Sequence, residues 1–96
     1  MHAAAVRYEL RLEGPRSLKD KRRIIKPLLE GIRRKFNVSA AEVDFQDLTQ
    51  RATIAIAIVS ESSFQISKVQ RQVERFIMSN PEVEIIGFHT SYLEDL

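Results

Sequence analysis

The chain has 96 residues, 44% hydrophobic and 29% charged, which suits one folded domain with a modest core and excludes a disordered chain. No apolar run nears the roughly 20 residues that cross a bilayer, and the start MHAAAVRYELR lacks the basic-then-apolar pattern of a secretory signal. The absence of cysteine excludes disulfide frameworks, thiolate metal sites and cysteine nucleophiles, and it fits a reducing, cytoplasmic setting.

Residues 6–13 alternate cleanly. Val6, Tyr8, Leu10 and Leu12 point one way, and Arg7, Glu9, Arg11 and Glu13 the other, the pattern of a half-buried strand. Gly14 and Pro15 end it. Ser17 then suits a helix N-cap, with Asp20 three positions on. Leu18, Ile25, Leu28, Leu29, Ile32 and Phe36 follow at helical spacing. Pro27 interrupts that spacing, and an interior proline costs a helix about 3 kcal/mol. The expected outcome is a kink near Arg23, or a main helix that carries Pro27 in its first turn. Asn37 suits the C-terminal end.

A second strand is expected over residues 41–46, with Ala41, Val43 and Phe45 alternating with Glu42, Asp44 and Gln46, and with Glu42 and Asp44 among the charges of the sheet's open face. Residues 47–50 connect it to a third strand over residues 51–60, where Ile54, Ile56 and Ile58 form the core face and Thr53, Ala55, Ala57 and Val59 the other. Ser62 or Ser63 caps a second helix with the stripe Ile66, Val69, Val73, Phe76 and Ile77, and Asn80-Pro81 stops it. A last strand covers about residues 83–92. The order strand-helix-strand-strand-helix-strand predicts an α+β, ferredoxin-like sandwich: one four-stranded antiparallel sheet, order 4-1-3-2, with both helices on one face, in a single domain over residues 1–96.

Charge is unevenly spread. Residues 16–35 hold nine basic and two acidic side chains, a net +7, while the rest of the chain holds six basic and eleven acidic, a net −5. Arg16, Lys19, Lys21, Arg22, Arg23, Lys26, Arg33, Arg34 and Lys35 cannot all find acidic partners within the helix. Their mutual repulsion needs an offset, and a polyanion supplies one. Read as nucleic-acid contacts, they meet phosphates, which position a protein without reading sequence. The bland alternative is the solvated face of an amphipathic helix.

Two stretches, Ser17-Leu18-Lys19-Asp20-Lys21-Arg22 and the block from Ala41-Glu42-Val43-Asp44 through Gln46-Asp47-Leu48-Thr49-Gln50-Arg51-Ala52, resemble the YlxP-like family of small bacterial proteins, the domain of unknown function 503. The likeness extends over nearly the whole chain. One departure is Thr49, where related sequences often carry tryptophan, so an aromatic platform is missing there. The resemblance implies a ferredoxin-like fold and no established activity. It also implies, through the genes that neighbour the family, an association with ribosome or RNA metabolism.

Base stacking of the RNA-recognition-motif kind needs aromatics on the open face of the central strands. The alternation offers Arg7, Glu9 and Arg11 on one strand and small side chains on the other, and no KH-type GxxG loop is present. RNA contact is therefore expected from the helix, directed by shape. The small side chains Thr53, Ala55, Ala57 and Val59 mark a candidate homodimer face. Asp44, Gln46, Asp47, Gln50 and Arg51 form a candidate recognition edge; the bland reading there is turn chemistry, with Arg51 pairing with Asp47 or Asp44.

Catalysis finds little support. His2 and His89 have no neighbours at metal-ligand spacing, no serine sits in a nucleophile elbow, and the three glycines build no phosphate loop. The glycine-rich anion loop of acylphosphatases, which share this topology, is missing. The expectation is a non-enzymatic cytoplasmic domain without cofactor or metal, partnered by RNA or a ribosomal particle and not by a membrane. Two other readings stand beside it. One is a small homo-oligomeric, ligand-sensing module like the ACT domains, its effector held near Glu13-Gly14-Pro15-Arg16-Ser17. The other is a domain that docks an acidic protein.

Overall fold

A computed structural model describes residues 1–94. Six elements follow in order: β1 (His2–Arg11), α1 (Leu18–Phe36), β2 (Ser39–Asp44), β3 (Arg51–Ser60), α2 (Ser63–Met78) and β4 (Glu84–Glu94). The strands form one antiparallel sheet in the order β2-β3-β1-β4, which is the expected order read from the other edge. Alternation decides the layers. Val6, Tyr8 and Leu10 of β1 and Ile54, Ile56 and Ile58 of β3 are buried beneath both helices, where they meet Ile24, Ile25, Leu28, Leu29 and Ile32 of α1 and Ile66, Val73 and Ile77 of α2.

The first strand begins at His2 rather than Val6, because Ala3, Ala4 and Ala5 find full pairing with Val59, Ile58 and Ala57 on one side and Leu93, Tyr92 and Ser91 on the other. It ends at Arg11. Leu12 stays buried just beyond it, its N–H donating to the Gln50 carbonyl at 3.0 Å.

Helix α1 runs unbroken from Leu18 through Pro27 to Phe36, so the arrangement in which the main helix starts around Pro27 is not the one adopted. Buried residues lie on both sides of the proline, from Lys21 to Ile32. Burial of five large aliphatic side chains at about 1.5–3 kcal/mol each outweighs the roughly 3 kcal/mol that the proline costs. Asn37 closes the helix in the left-handed conformation (φ 53°), its N–H donating to the Arg33 carbonyl.

Strand β2 is turned over relative to expectation. Ala40 is buried and Glu42 half-buried, whereas Ala41 and Val43 are exposed. A bulge explains part of this: Glu42 pairs with Ile54 and Asp44 with Thr53, leaving Val43 as the extra residue. The rest lies with Lys21, which reaches Glu42 from α1. A second bulge leaves Ile86 of β4 unpaired between the partners of Leu10 and Glu9. Ser62 caps α2, accepting from the Gln65 N–H at 3.1 Å. No helix among the described residues is long and apolar enough to cross a membrane.

Candidate nucleic-acid interface

The cap sets the start of α1. Ser17 Oγ accepts from the Asp20 N–H at 3.1 Å, and Asp20 Oδ2 accepts from the Arg16 N–H at 3.3 Å. This is one residue away from the reciprocal capping box. From there the nine expected cations separate into distinct environments.

Lys21 is internal. It is 3% exposed, with Nζ 2.8 Å from Glu42 Oε2 and donating to the Phe45 carbonyl at 2.7 Å. An ammonium so enclosed needs both an opposite charge and hydrogen-bond acceptors, and it cannot meet a phosphate. The expectation for Lys21 is therefore corrected: helical periodicity puts it on the inner face, beside Ile25 and Leu28, and its charge holds the β2 edge to α1.

Arg33 serves both purposes. Its Nε and Nη2 donate to the Ala40 carbonyl at 2.9 and 2.6 Å, yet the residue stays exposed. Lys35 lies in the seam between the helices, its ammonium 5.4 Å from the Phe76 ring centre and 5.9 Å from that of Phe36. Arg23 approaches Asp20 at 3.7 Å, a solvent-exposed contact of small worth. Arg16, Lys19, Arg22, Lys26 and Arg34 are exposed and make no ion pair among the described residues.

Arg22, Lys26 and Arg33 converge on one groove. It runs between α1 and edge strand β2, with a volume of about 360 Å³, and is also lined by Leu18, Ile25, Leu29, Glu30, Glu42 and Gln46. Because Glu42 is matched by Lys21, Glu30 is the remaining carboxylate against three cations. The groove thus combines an apolar floor with a basic rim.

The candidate recognition edge is mostly scaffold. Asp44 Oδ1 accepts from the Phe45 N–H at 2.8 Å, and Leu48 donates to the Phe45 carbonyl to close the turn. Phe45 adopts φ 59°, an unfavourable region for an aromatic residue; the conformation points its carbonyl at Lys21. Gln50 Nε2 donates to the carbonyls of Glu13 and Pro15 at 3.3 and 3.4 Å, tying the hairpin to the β1–α1 loop. Arg51 pairs with neither Asp44 nor Asp47. Its guanidinium lies 5.0 Å from the Phe45 ring centre, and its buried Nε has no hydrogen-bond partner. Gln46 and Asp47 are exposed, Gln46 on the groove wall.

On the open face of the sheet, Ala57 and Val59 are exposed and Ala55 half-buried, as expected, but Thr53 is buried beneath Glu9, donating to its Oε2 at 2.6 Å. Two features go beyond the sequence reading: the partner of the Tyr8 hydroxyl and a second groove. Tyr8 lies in the core, with its hydroxyl 3.4 Å from Glu74 Oε1; burial, then the Glu74 charge, pushes its phenol well above the usual tyrosine range. A second, more apolar groove of about 570 Å³ separates α2 from β4 and includes Met78, Ile86 and Phe88, all exposed.

The family profile described as "Protein of unknown function (DUF503)" matches residues 3–90. The chain is 46% identical over 68 residues to the "Uncharacterized protein YlxP" of Bacillus subtilis (strain 168), an alignment covering 71% of this chain and 74% of that one. Among solved structures, that of Rv0793 from Mycobacterium tuberculosis superposes with a TM-score of 0.53 at 13% identity, covering 100% of this chain and 96% of the other. That likeness is one of fold.

Proposed function

The chain belongs to the DUF503 family, and from the charge distribution of its first helix we infer that it is a non-enzymatic cytoplasmic domain that binds RNA, on its own or within a ribosomal particle. The carrying observation is the row Arg22, Lys26 and Arg33 on the rim of an apolar-floored groove, with Lys19, Arg23 and Arg34 exposed on the same helix. Arginine forks and lysine ammonium groups suit phosphate oxygens. Open-face stacking is not part of this reading, since the central strands present Arg7, Glu9, Ala55 and Ala57 there.

Four phosphate contacts on single-stranded RNA give a slope of about −2.8 for log affinity against log salt, at roughly −0.7 per contact. The test is co-sedimentation with ribosomal subunits, and binding to labelled RNA, across a salt series. The wild-type protein is compared with Arg22→Glu/Arg23→Glu/Lys26→Glu. Salt-sensitive binding lost in the folded triple variant is the expected outcome. Unchanged binding in that variant refutes the surface, and no binding at low salt moves the basic helix to an acidic protein partner. An effector pocket of the ACT kind is less favoured, because Gln50 already occupies the Glu13 and Pro15 carbonyls of the β1–α1 loop.

A further inference from the structure

We propose that the open face of the sheet is the interface between two copies of this chain, packed sheet to sheet about a two-fold axis. The middle of that face is a cross-strand row, Ser39–Ala57–Ala5–Ser91, running the full width of the sheet. Beside it, Val59 is 72% exposed and Leu93 58% exposed. An antiparallel sheet with one solvated face normally carries polar side chains at such positions, and alanine is a weak strand former with nothing to gain there from water. Small side chains across a whole row also leave the surface flat enough for a second sheet to approach to about 10 Å.

Charge selects a second copy as the occupant. The ionic groups of this face balance within the chain: Arg7 pairs with Glu9 at 3.3 Å, Arg11 holds both oxygens of Glu84 at 3.0 and 3.1 Å, and the register adds one further cation, Arg51, and one further carboxylate, Asp44. Two such faces meet without net repulsion. The helix side, with its unmatched cations, repels a second copy of itself and stays outward. Three strands of 10, 10 and 11 residues and one of six, about 4.8 Å apart at about 3.3 Å per residue, present on the order of 600 Å² in projection, close to the roughly 800 Å² per partner of a stable interface once side-chain relief is counted. A two-fold arrangement makes the contact self-complementary, and it sets the two α1 helices on opposite outer surfaces.

Sedimentation velocity and light scattering over a wide concentration range test this. The expected mass is twice the 11.1 kDa of the chain. Ala57→Glu places like charges in the centre of the contact while pointing into solvent in a lone copy, so the dissociation constant should rise about 100-fold or more with the circular dichroism spectrum retained. Ser39→Glu, in the same row on the edge strand, repeats the test should Ala57→Glu fold poorly. A mass of 11.1 kDa at every concentration overturns the proposal. So does a dimer that survives both variants, or one that Phe88→Glu, in the groove between α2 and β4, dissolves in their place.

Discussion

Replacing Lys21 by alanine separates a structural cation from the binding ones. The substitution removes the ammonium 2.8 Å from Glu42 Oε2 and the donor to the Phe45 carbonyl. It leaves the Glu42 carboxylate, whose side chain is 22% exposed, without its partner. Breaking a buried pair by removing one partner costs about 3–5 kcal/mol. The partial exposure of Glu42 lets water repay some of that, so we expect a loss of about 3 kcal/mol. Domains of this size are stable by about 5–15 kcal/mol. With a urea dependence near 2 kcal/mol per molar, the midpoint should fall by about 1.5 M. Lys19→Ala, on the exposed face, should move it by no more than about 0.25 M, matching the roughly 0.5 kcal/mol typical of surface changes. Lys21→Met/Glu42→Leu removes both charges and should recover at least half of the loss, since apolar replacement of buried pairs is often neutral or better; the Phe45 carbonyl keeps the Leu48 N–H as its donor. Equal midpoints for Lys21→Ala and Lys19→Ala would refute the internal role. A double variant no better than the single would show that the pair does not carry the cost. Where Lys21→Ala is still folded, its RNA salt slope should equal that of the wild type.

Alkali should destabilise the fold through Tyr8. Its folded-state phenol is held above the usual range, whereas an unfolded tyrosine ionises near pH 10. The contribution is therefore intact below about pH 10 and is lost above it at up to about 1.4 kcal/mol per pH unit; Tyr8→Phe should flatten that limb in urea titrations while costing less than about 1 kcal/mol at neutral pH. Gly31→Ala should lose about 1 kcal/mol despite a helix-propensity gain of similar size, because the new methyl group would sit 2.7 Å from the Phe76 ring. In a Phe76→Leu background the same change should be neutral or stabilising, and thermal melts of the four proteins decide it.

The sheet was legible wherever a strand alternated against one core. Ile54, Ile56 and Ile58 against Thr53, Ala55 and Ala57 leave one way to face, and the caps Ser17, Ser62 and Asn37 fall where their side chains suit them. Strand β2 was misread because its alternation is inverted: its apolar residues Ala41 and Val43 face outward, and Glu42 faces inward. Alternation assumes that a carboxylate prefers water. That fails when a lysine from another element meets it, and such a partner lies 21 positions away in sequence with no periodic signal. The same reason hid Lys21 among the nine cations. Its charge matched its neighbours in composition, and only its place on the inner stripe of α1 distinguished it.

Much of the sequence that marks the family resemblance is accounted for by architecture. Ser17 caps α1, Lys21 and Glu42 pair inside, Gln50 ties the hairpin to the β1–α1 loop, and Arg51 lies over the Phe45 ring. None of these needs a ligand to explain it, so none counts as evidence for a binding site. Arg22 and Lys26 are different. Neither supports the fold through an ion pair or hydrogen bond among the described residues, and both rim the groove beside β2. Repulsion along α1 is then a cost with no return inside the folded monomer, and removing those charges should leave stability unchanged or slightly raised while RNA affinity falls. A triple reversal that destabilises the fold as strongly as Lys21→Ala would place these cations with the scaffold and leave the basic helix without a binding role.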